Sequence, residues 1–214
     1  MLDKNTLSEA LKKARESAKG KKFTQSWDLS ISLKEMDMKK PESRISEDFV
    51  LPNGPGKNLK VAVISDTITS KVTGIADSVI TKDQLATIGQ NKKTLKGLAA
   101  NTDFFLSEIS LMPVVGKQMG SVLAPRGKMP KPIPPNVDVK TVIERTKKSV
   151  RIKLKDSPVV NVIIGNEKMD DAKVIENIDA VVEFLERKLP KGRDNLKNVA
   201  IKLTMGKPEK IKVV

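Results

Sequence analysis

The sequence contains no cysteine, no histidine and no tyrosine, and only 3% of its 214 residues are aromatic. These gaps exclude disulfides, thiolate nucleophiles, zinc fingers and imidazole acid–base catalysis. No apolar run approaches the roughly 20 residues of a membrane span, and the first four residues do not begin a signal peptide. We therefore expect a cytoplasmic protein that is not an enzyme and has no membrane partner, metal site or cofactor.

Positive charge is what the sequence has in excess. The net charge is +14, above the magnitude of about 2–8 that is usual for a small soluble domain, and it favours a polyanionic partner. A solvated surface tuned for solubility is the alternative. Five Phe and one Trp are too few for a platform that stacks many unpaired bases, so folded RNA or a duplex backbone is the better match.

The two ends of the chain share an α+β pattern. Residues 6–9 (TLSE) have the form of a capping box that opens a helix, and the alternation of Trp27, Leu29, Ile31 and Leu33 with polar residues predicts a half-buried antiparallel strand. Further strands are predicted at 45–51, 150–154, 159–164, 199–203 and 211–213. A long helix is predicted at 170–189, with Ile175, Ile178, Val182, Leu185 and Leu189 on its buried face.

The middle of the chain has a different pattern. An apolar run at 59–64 is typical of a strand covered on both faces, and it alternates with predicted helices at 81–88, 92–100 and 137–147 and a strand at 103–106. The proline-rich segment 123–135 is predicted as a rigid exposed loop, and 116–120 as a helix start or tight turn. Together these patterns predict a discontinuous α+β domain with an antiparallel sheet, formed by residues 1–59 and 152–214, and an inserted Rossmann-like three-layer α/β domain at 60–151.

An α/β unit invites a search for a nucleotide site, and the sequence contains neither a dinucleotide fingerprint nor a phosphate loop. Residues 54–57 (GPGK) precede their strand instead of following it, so we interpret them as a turn or hinge. The two thin connections between the predicted domains, near 57–60 and 150–153, are expected to allow hinge motion.

Charge is segregated along the chain. Acidic residues crowd 167–186, whereas basic residues concentrate at 12–22 and 187–212, which favours a one-sided RNA-binding face. At the end of the predicted strand 199–203, Thr204 can hydrogen-bond a ribose or phosphate, Met205 can lie against a sugar or base, and Gly206 permits close backbone approach. An ordinary strand-ending turn explains these three residues equally well.

Four stretches, in order, resemble the ribosomal protein L-one family in its archaeal form: 22–26 (KFTQS), 49–57 (FVLPNGPGK), 123–132 (LAPRGKMPKP) and 203–206 (LTMG). The resemblance covers essentially the whole chain. It implies an inserted Rossmann-like domain that hinges against the α+β domain, in a structural protein of the large ribosomal subunit. Family members bind a folded stem of large-subunit rRNA at the mobile stalk near the tRNA exit site.

The resemblance also implies partners and a site. The expected partners are large-subunit rRNA, the exit-site tRNA whose release the stalk assists, the ribosome, and the protein's own mRNA, whose translation it represses; the free protein is expected to be a monomer. Matching the motifs puts the RNA contact at Lys22, Phe23, Thr24, Ser26, Asp28, Thr204, Met205 and Gly206, with Asn161 and Asn198 at positions where bacterial relatives often carry His and Ser.

Electrostatics adds further candidate residues. Lys155, Lys202 and Lys207 lie near the matched motifs, and Arg126, Lys128 and Lys131 of the proline-rich segment are predicted as a secondary RNA or tRNA contact. Two other functions remain open at this point. One is a nucleotide-dependent enzyme built on the α/β insert, and the other is a general nucleic-acid-binding protein of the chromatin or nucleoid type.

Overall fold

The computed structural model describes residues 4–38, 40, 43–67, 72, 74–133, 138–155 and 157–211. Backbone contacts divide the chain into two compact units, which we call the terminal unit (Met1–Lys57 with Lys148–Val214) and the inserted unit (Asn58–Lys147). Within the described part of the chain, no helix combines the length and hydrophobicity needed to cross a membrane.

The secondary-structure elements are numbered in chain order. The helices are α1 (Lys4–Ser17), α2 (Lys82–Gln90), α3 (Lys92–Asn101), α4 (Met112–Leu123), α5 (Val139–Lys147) and α6 (Asp171–Lys188). The strands are β1 (Ser26–Leu33), β2 (Ile45–Val50), β3 (Val61–Ile64), β4 (Ser78–Ile80), β5 (Phe104–Glu108), β6 (Lys131–Ile133), β7 (Ser149–Leu154), β8 (Val159–Asn166), β9 (Leu196–Leu203) and β10 (Glu209–Ile211). Short 3₁₀ turns lie at Ile109–Leu111 and Gly192–Asn195.

The terminal unit is built on a four-stranded antiparallel sheet with the order β10–β9–β1–β8. Trp27, Leu29, Ile31 and Leu33 are 0–4% exposed, which confirms the alternation predicted for β1. Their face of the sheet packs into one core with the buried sides of α1 and α6, so a single face of the sheet remains uncovered by that core.

A second, two-stranded sheet in the terminal unit joins β2 and β7 in antiparallel register from Ile45 opposite Leu154 to Val50 opposite Ser149. Arg151 Nε donates to Asp48 Oδ1 across it at 2.8 Å. The boundary predicted at 151/152 falls inside this ladder, and the contacts put the divisions at 57/58 and 147/148. The residues 150–153 that were predicted as a hinge lie in the same paired strand.

Residues 52–57 form a turn, in agreement with the interpretation of residues 54–57 as a turn or hinge. Hydrogen bonds hold this turn against the rest of the terminal unit. Asn177 of α6 is fully buried; its Nδ2 donates to Gly54 O at 3.0 Å and to Ile164 O at 2.7 Å, and its Oδ1 accepts from Asn53 N at 3.1 Å. Gly56 has a φ of 67°, and a Cβ there would lie 2.7 Å from Met169 Sδ. The turn therefore requires glycine at this position.

The inserted unit contains a parallel sheet of order β4–β3–β5–β6. Ala62, Ile64 and Phe105 pack with α2, α3 and α4 on one face, and Val61, Val63 and Leu106 pack with α5 on the other. The unit thus has three layers, as the alternation of strands and helices predicted. The whole chain combines antiparallel and parallel sheets.

Two predictions for the inserted unit are wrong. Residues 116–120 lie inside α4, where Val115, Met119 and Leu123 form its buried stripe; the glycines concealed this helix because glycine weakens helix propensity. The proline-rich segment is not entirely loop, because Lys131–Ile133 forms the edge strand β6. Pro132 is tolerated there since an edge strand has one side without a ladder partner.

Several boundaries also differ from those expected. Helix α1 already includes Lys4, so residues 6–9 lie within it and do not open it, and α5 begins at Val139. Ile175 is only half-buried, whereas Val174 and Val181 are fully buried on α6. The last strand, expected at 211–213, is found at Glu209–Ile211, and residues 212–214 lie outside the described residues.

Candidate nucleic-acid interface

The start of β1 and the end of β9 are joined by hydrogen bonds that continue beyond the strand ladder. Ser26 N donates to Thr204 Oγ1 at 3.1 Å, and Thr204 N donates to Ser26 O at 3.1 Å. Met205 N donates to the Gln25 side-chain oxygen at 3.0 Å. The two motifs from opposite ends of the sequence, 22–26 and 203–206, therefore form one structure, which we call the terminal junction (residues 22–26 and 203–207).

Apolar side chains are exposed at the terminal junction. Phe23 is 51% exposed and Met205 is 58% exposed, and Lys22, Thr24, Thr204 and Lys207 are exposed beside them. Exposed aromatic and thioether groups are suited to stack on bases and sugars. Basic and apolar groups thus occur together on one surface.

Gly206 permits a close approach, as its motif suggested, and in the structure it packs against the end of α1. A Cβ at this position would lie 3.1 Å from Ser17 Oγ and 3.2 Å from Ala18 Cβ, at the end of α1. Lys207 N donates to the same Ser17 hydroxyl at 3.1 Å. The close approach that Gly206 permits is therefore to a helix of its own unit.

The uncovered face of the four-stranded sheet continues from the terminal junction and holds the polar candidates. The ladder sets Asp28 between Ile163 and Lys202, and sets Ser30 between Asn161 and Ala200. Asn198 lies one row further, opposite Ser32. A shallow groove of about 400 Å³ is lined by Asp28, Ser30, Asn161, Val162, Ile163 and Lys202.

Electrostatics within this groove is set by one carboxyl group and one lysine. Partial burial raises the pKa of Asp28, and the positive charge of Lys202 on the neighbouring strand opposes that rise. Asn161 and the hydroxyl of Ser30, which lie in the next row of the sheet, supply neutral hydrogen-bonding groups. The groove can therefore accept hydroxyl and amino donors, which suits ribose and base edges.

Sequence reasoning missed three residues of this groove, Ser30, Val162 and Ile163, of which Val162 lies on the buried side of β8. Ser30 belongs to the polar side of the same alternation that identified Asp28, so the period of two in β1 was sufficient to find it. Ile163 is 41% exposed on β8 and shares the face of Asn161 by the same period of two, but an isoleucine in a strand is usually assigned to the core. Lys155 is exposed one residue beyond β7 and is not part of the four-stranded sheet.

The three residues predicted as a secondary contact belong to the inserted unit and have unequal surroundings. Lys128 Nζ donates to Ala99 O at 2.9 Å and to Thr102 O at 2.6 Å, so this ammonium caps the carboxyl end of α3. An RNA contact by Lys128 stays a prediction, and it would have to compete with these two hydrogen bonds. Arg126 and Lys131 are exposed, and Arg126 Nη1 also donates to Lys96 O at 3.3 Å.

The carboxyl ends of β3 and β5, where a Rossmann-like sheet usually binds its nucleotide, are occupied by a buried glutamate. Glu108 Oε1 accepts hydrogen bonds from Ser65 Oγ at 2.6 Å, from Thr67 Oγ1 at 2.8 Å and from Thr67 N at 3.1 Å. A phosphate at this edge would meet a carboxylate in place of free N–H donors. Among the residues that the structure describes, no acidic cluster is suited to hold a metal ion.

A sequence model of the Ribosomal protein L1p/L10e family matches residues 11–207, a range that includes the terminal junction and the whole inserted unit. The chain belongs to this family. The matched range includes residues of both predicted domains, and the family assignment confirms the resemblance of the four stretches.

Curated relatives support the same assignment over nearly the full length. A protein of Methanothermobacter thermautotrophicus, named large ribosomal subunit protein uL1, is 45% identical over 203 residues, covering 94% of this chain and 95% of the relative. The protein of that name from Methanocaldococcus jannaschii is 43% identical over 99% of this chain and 97% of its own length. The one from Pyrococcus abyssi is 40% identical over 98% and 97%. All three are archaeal members of the family.

Proposed function

We propose that this chain is a protein of the large ribosomal subunit that binds folded large-subunit rRNA through the terminal junction and the groove beside it. The observation that carries the proposal is the exposure of Phe23 and Met205 on the hydrogen-bonded terminal junction, next to an open polar sheet face. The family assignment and the relatives named large ribosomal subunit protein uL1 support the same function.

Recognition of the RNA would depend both on its shape and on its negative charge. Phe23 and Met205 would pack against bases or sugars that an irregular RNA fold exposes, while Asp28, Ser30 and Asn161 would bond to ribose hydroxyls and base edges. Lys22, Lys202 and Lys207 would lie on phosphates, where they add affinity and accelerate association. Thr204 takes a smaller part than its motif suggested, because its hydroxyl is bonded to the backbone of Ser26.

Met205→Asp tests this interface. Replacing an exposed apolar contact by a carboxylate should repel phosphates and lower affinity for full-length large-subunit rRNA at least ~30-fold, about 2 kcal/mol, in filter binding. Ile109→Asp is the matched control, since Ile109 is 57% exposed in the inserted unit, outside the proline-rich segment, and should leave the affinity unchanged. Equal affinities of wild type and Met205→Asp would remove the terminal junction from the binding site.

Two more specific functions are proposed for this protein, one with its own mRNA and one with tRNA. We propose that an own-mRNA structure resembling the rRNA site competes for the terminal junction and that Arg126 and Lys131 contact exit-site tRNA and assist its release. The proposal of mRNA binding is supported because one RNA-binding surface can accept two similar RNA folds. The proposal of a tRNA contact is supported by the exposed cations of the inserted unit. Competition by an mRNA leader transcript in the same filter assay, and a footprint on tRNA lost in Arg126→Gln/Lys131→Gln, are the expected results.

The two compact units are proposed to be two domains of a monomeric protein joined by connections near 57–58 and 147–148. Separate cores in each unit support this division. The competing proposal of a nucleotide-dependent enzyme is disfavoured by the Glu108 carboxylate at the strand ends. Binding of rRNA that persists in excess bulk DNA distinguishes the proposed function from general nucleic-acid binding.

A further inference from the structure

Gln25 is a buried polar residue at the centre of the terminal junction. It is 1% exposed, although the two residues before it, Phe23 and Thr24, are exposed. Its side-chain Oε1 accepts from Met205 N at 3.0 Å, and its Nε2 donates to Ala18 O at 3.0 Å. One amide group therefore links the turn at 204–207 to the end of α1.

The backbone of Gln25 is held as firmly as its side chain. Its N–H donates to Glu167 Oε2 at 3.2 Å, and its carbonyl accepts from Glu167 N at 2.8 Å. The loop that contains Glu167 is in turn held by α1, because the Arg15 guanidinium donates to Glu167 O at 2.6 Å and to Met169 O at 2.9 Å. The backbone of Gln25 is thus fixed in place, and its side-chain amide extends from there to the turn at 204–207.

We infer that Gln25 is a positioning residue for RNA binding, which sets the backbone of Met205 relative to Phe23 without touching RNA itself. This inference rests on the proposed function. The β1–β9 ladder ends at Trp27 opposite Leu203, and the bonds between Ser26 and Thr204 extend it by one residue. Beyond this pair, the side-chain amide of Gln25 accepts a hydrogen bond from the backbone N–H of Met205, the residue whose thioether is exposed.

The core of the terminal unit is formed by other side chains, so we expect the fold to survive the loss of this amide. Trp27, Leu29 and Ile31 are fully buried in that core, whereas the Gln25 amide bonds to the backbone at Met205 and Ala18. Loss of the amide should therefore loosen the turn while the sheet remains. A loosened turn lets Met205 sample several positions, and binding then has to restrict it.

Gln25→Glu provides a test that a purely structural role would not satisfy. When ionised, the introduced carboxylate accepts from Met205 N but repels Ala18 O and the Glu167 carboxylate, whereas the protonated acid restores both hydrogen bonds of the amide. Burial and Glu167 both raise the pKa of such a group, whereas cations on the neighbouring segments oppose the rise: Arg15, Lys19, Lys21, Lys22, Lys168 and Lys207. The variant should therefore recover as the pH falls.

The measurement is filter binding to a full-length large-subunit rRNA transcript at pH 7.5 and at pH 5.5, with wild type at each pH as the reference. Gln25→Glu should bind about ten-fold more weakly than wild type at pH 7.5 and within about three-fold of it at pH 5.5. The amide proton of Met205 should exchange faster in the variant at pH 7.5 and slow again at pH 5.5, relative to wild type at the same pH.

Asn195→Asp is the matched control. Asn195 is also 1% exposed, and its amide joins Lys34 O at 3.0 Å to Lys191 N at 2.8 Å, at the other end of β9. This variant introduces the same buried charge into the same unit but leaves the terminal junction intact. It should lose thermal stability and bind rRNA like wild type at both pH values.

The outcomes separate the inference from the function on which it rests. If Met205→Asp loses binding while Gln25→Glu binds like wild type at pH 7.5, the inference is overturned and the proposed function stands. If wild type itself fails to prefer rRNA over bulk DNA, the proposed function fails. Should Gln25→Glu not fold at pH 7.5, Gln25→Met, which keeps the length and removes both hydrogen bonds, decides by the same ten-fold criterion. Unfolding of both variants would also overturn the inference.

Discussion

At the scale of single residues, the chemistry of a side chain was easier to predict than its partner. Gly206 was expected to permit a close approach, and it does, but the surface it approaches is the end of α1. Lys128 is predicted to contact an anion, and in the structure its ammonium donates to carbonyl groups at the end of α3. A backbone carbonyl and a phosphate oxygen attract the same donor, and the sequence does not distinguish them.

Gly206→Val follows from this geometry. The Val side chain would extend beyond a Cβ already 3.2 Å from Ala18 Cβ, so the turn should move away from α1. We expect a destabilisation of about 1–3 kcal/mol in urea denaturation, together with weaker rRNA binding. Gly120→Ala is the control, because a Cβ there has open space within a helix and should stabilise by about 0.5–1 kcal/mol. An unchanged midpoint for Gly206→Val would show that the turn has room to spare.

At the scale of elements, periodicity was reliable where one face is buried. The alternation in β1 identified both the core side and the open side of the sheet, including Asp28. Helix α4 and strand β6 were missed because two glycines and a proline carry strong local penalties, which tertiary packing outweighs. Hydrogen bonds between distant elements, such as those of Asn177, have no periodic signal and were not predicted.

Asn177→Leu should show how far one buried amide stabilises the terminal unit. The substitution removes bonds to Gly54 O, Ile164 O and Asn53 N, which leaves two buried carbonyls and one partly buried N–H without this partner. A loss of about 2–4 kcal/mol in the free energy of unfolding is expected. Glu176→Gln, which changes only an exposed partner of Asn53, should cost less than about 0.5 kcal/mol. Equal costs for the two variants would contradict this account.

At the scale of the whole molecule, charge segregation was predicted from the sequence, and its consequence is a dependence of binding on salt. If about five phosphates are engaged, the logarithm of the rRNA association constant should fall against the logarithm of salt concentration with a slope of roughly −4. Lys207→Gln at the terminal junction should reduce this slope by about 1. Lys173→Gln on α6, where Lys173 Nζ lies 3.3 Å from Asp170 Oδ2, should leave it unchanged. Equal slopes for both variants would place the phosphate contacts elsewhere.

The strand order of the terminal unit determines when the protein can first function during its synthesis. Strand β1 is made early, but its neighbours β8 and β9 lie about 130 and 170 residues later. At ordinary elongation rates, a nascent chain waits on the order of ten seconds with Trp27 and its apolar neighbours unpaired, while the inserted unit can already fold. A chain truncated before Thr204 lacks one half of the terminal junction, so we expect incomplete translation products to bind rRNA poorly.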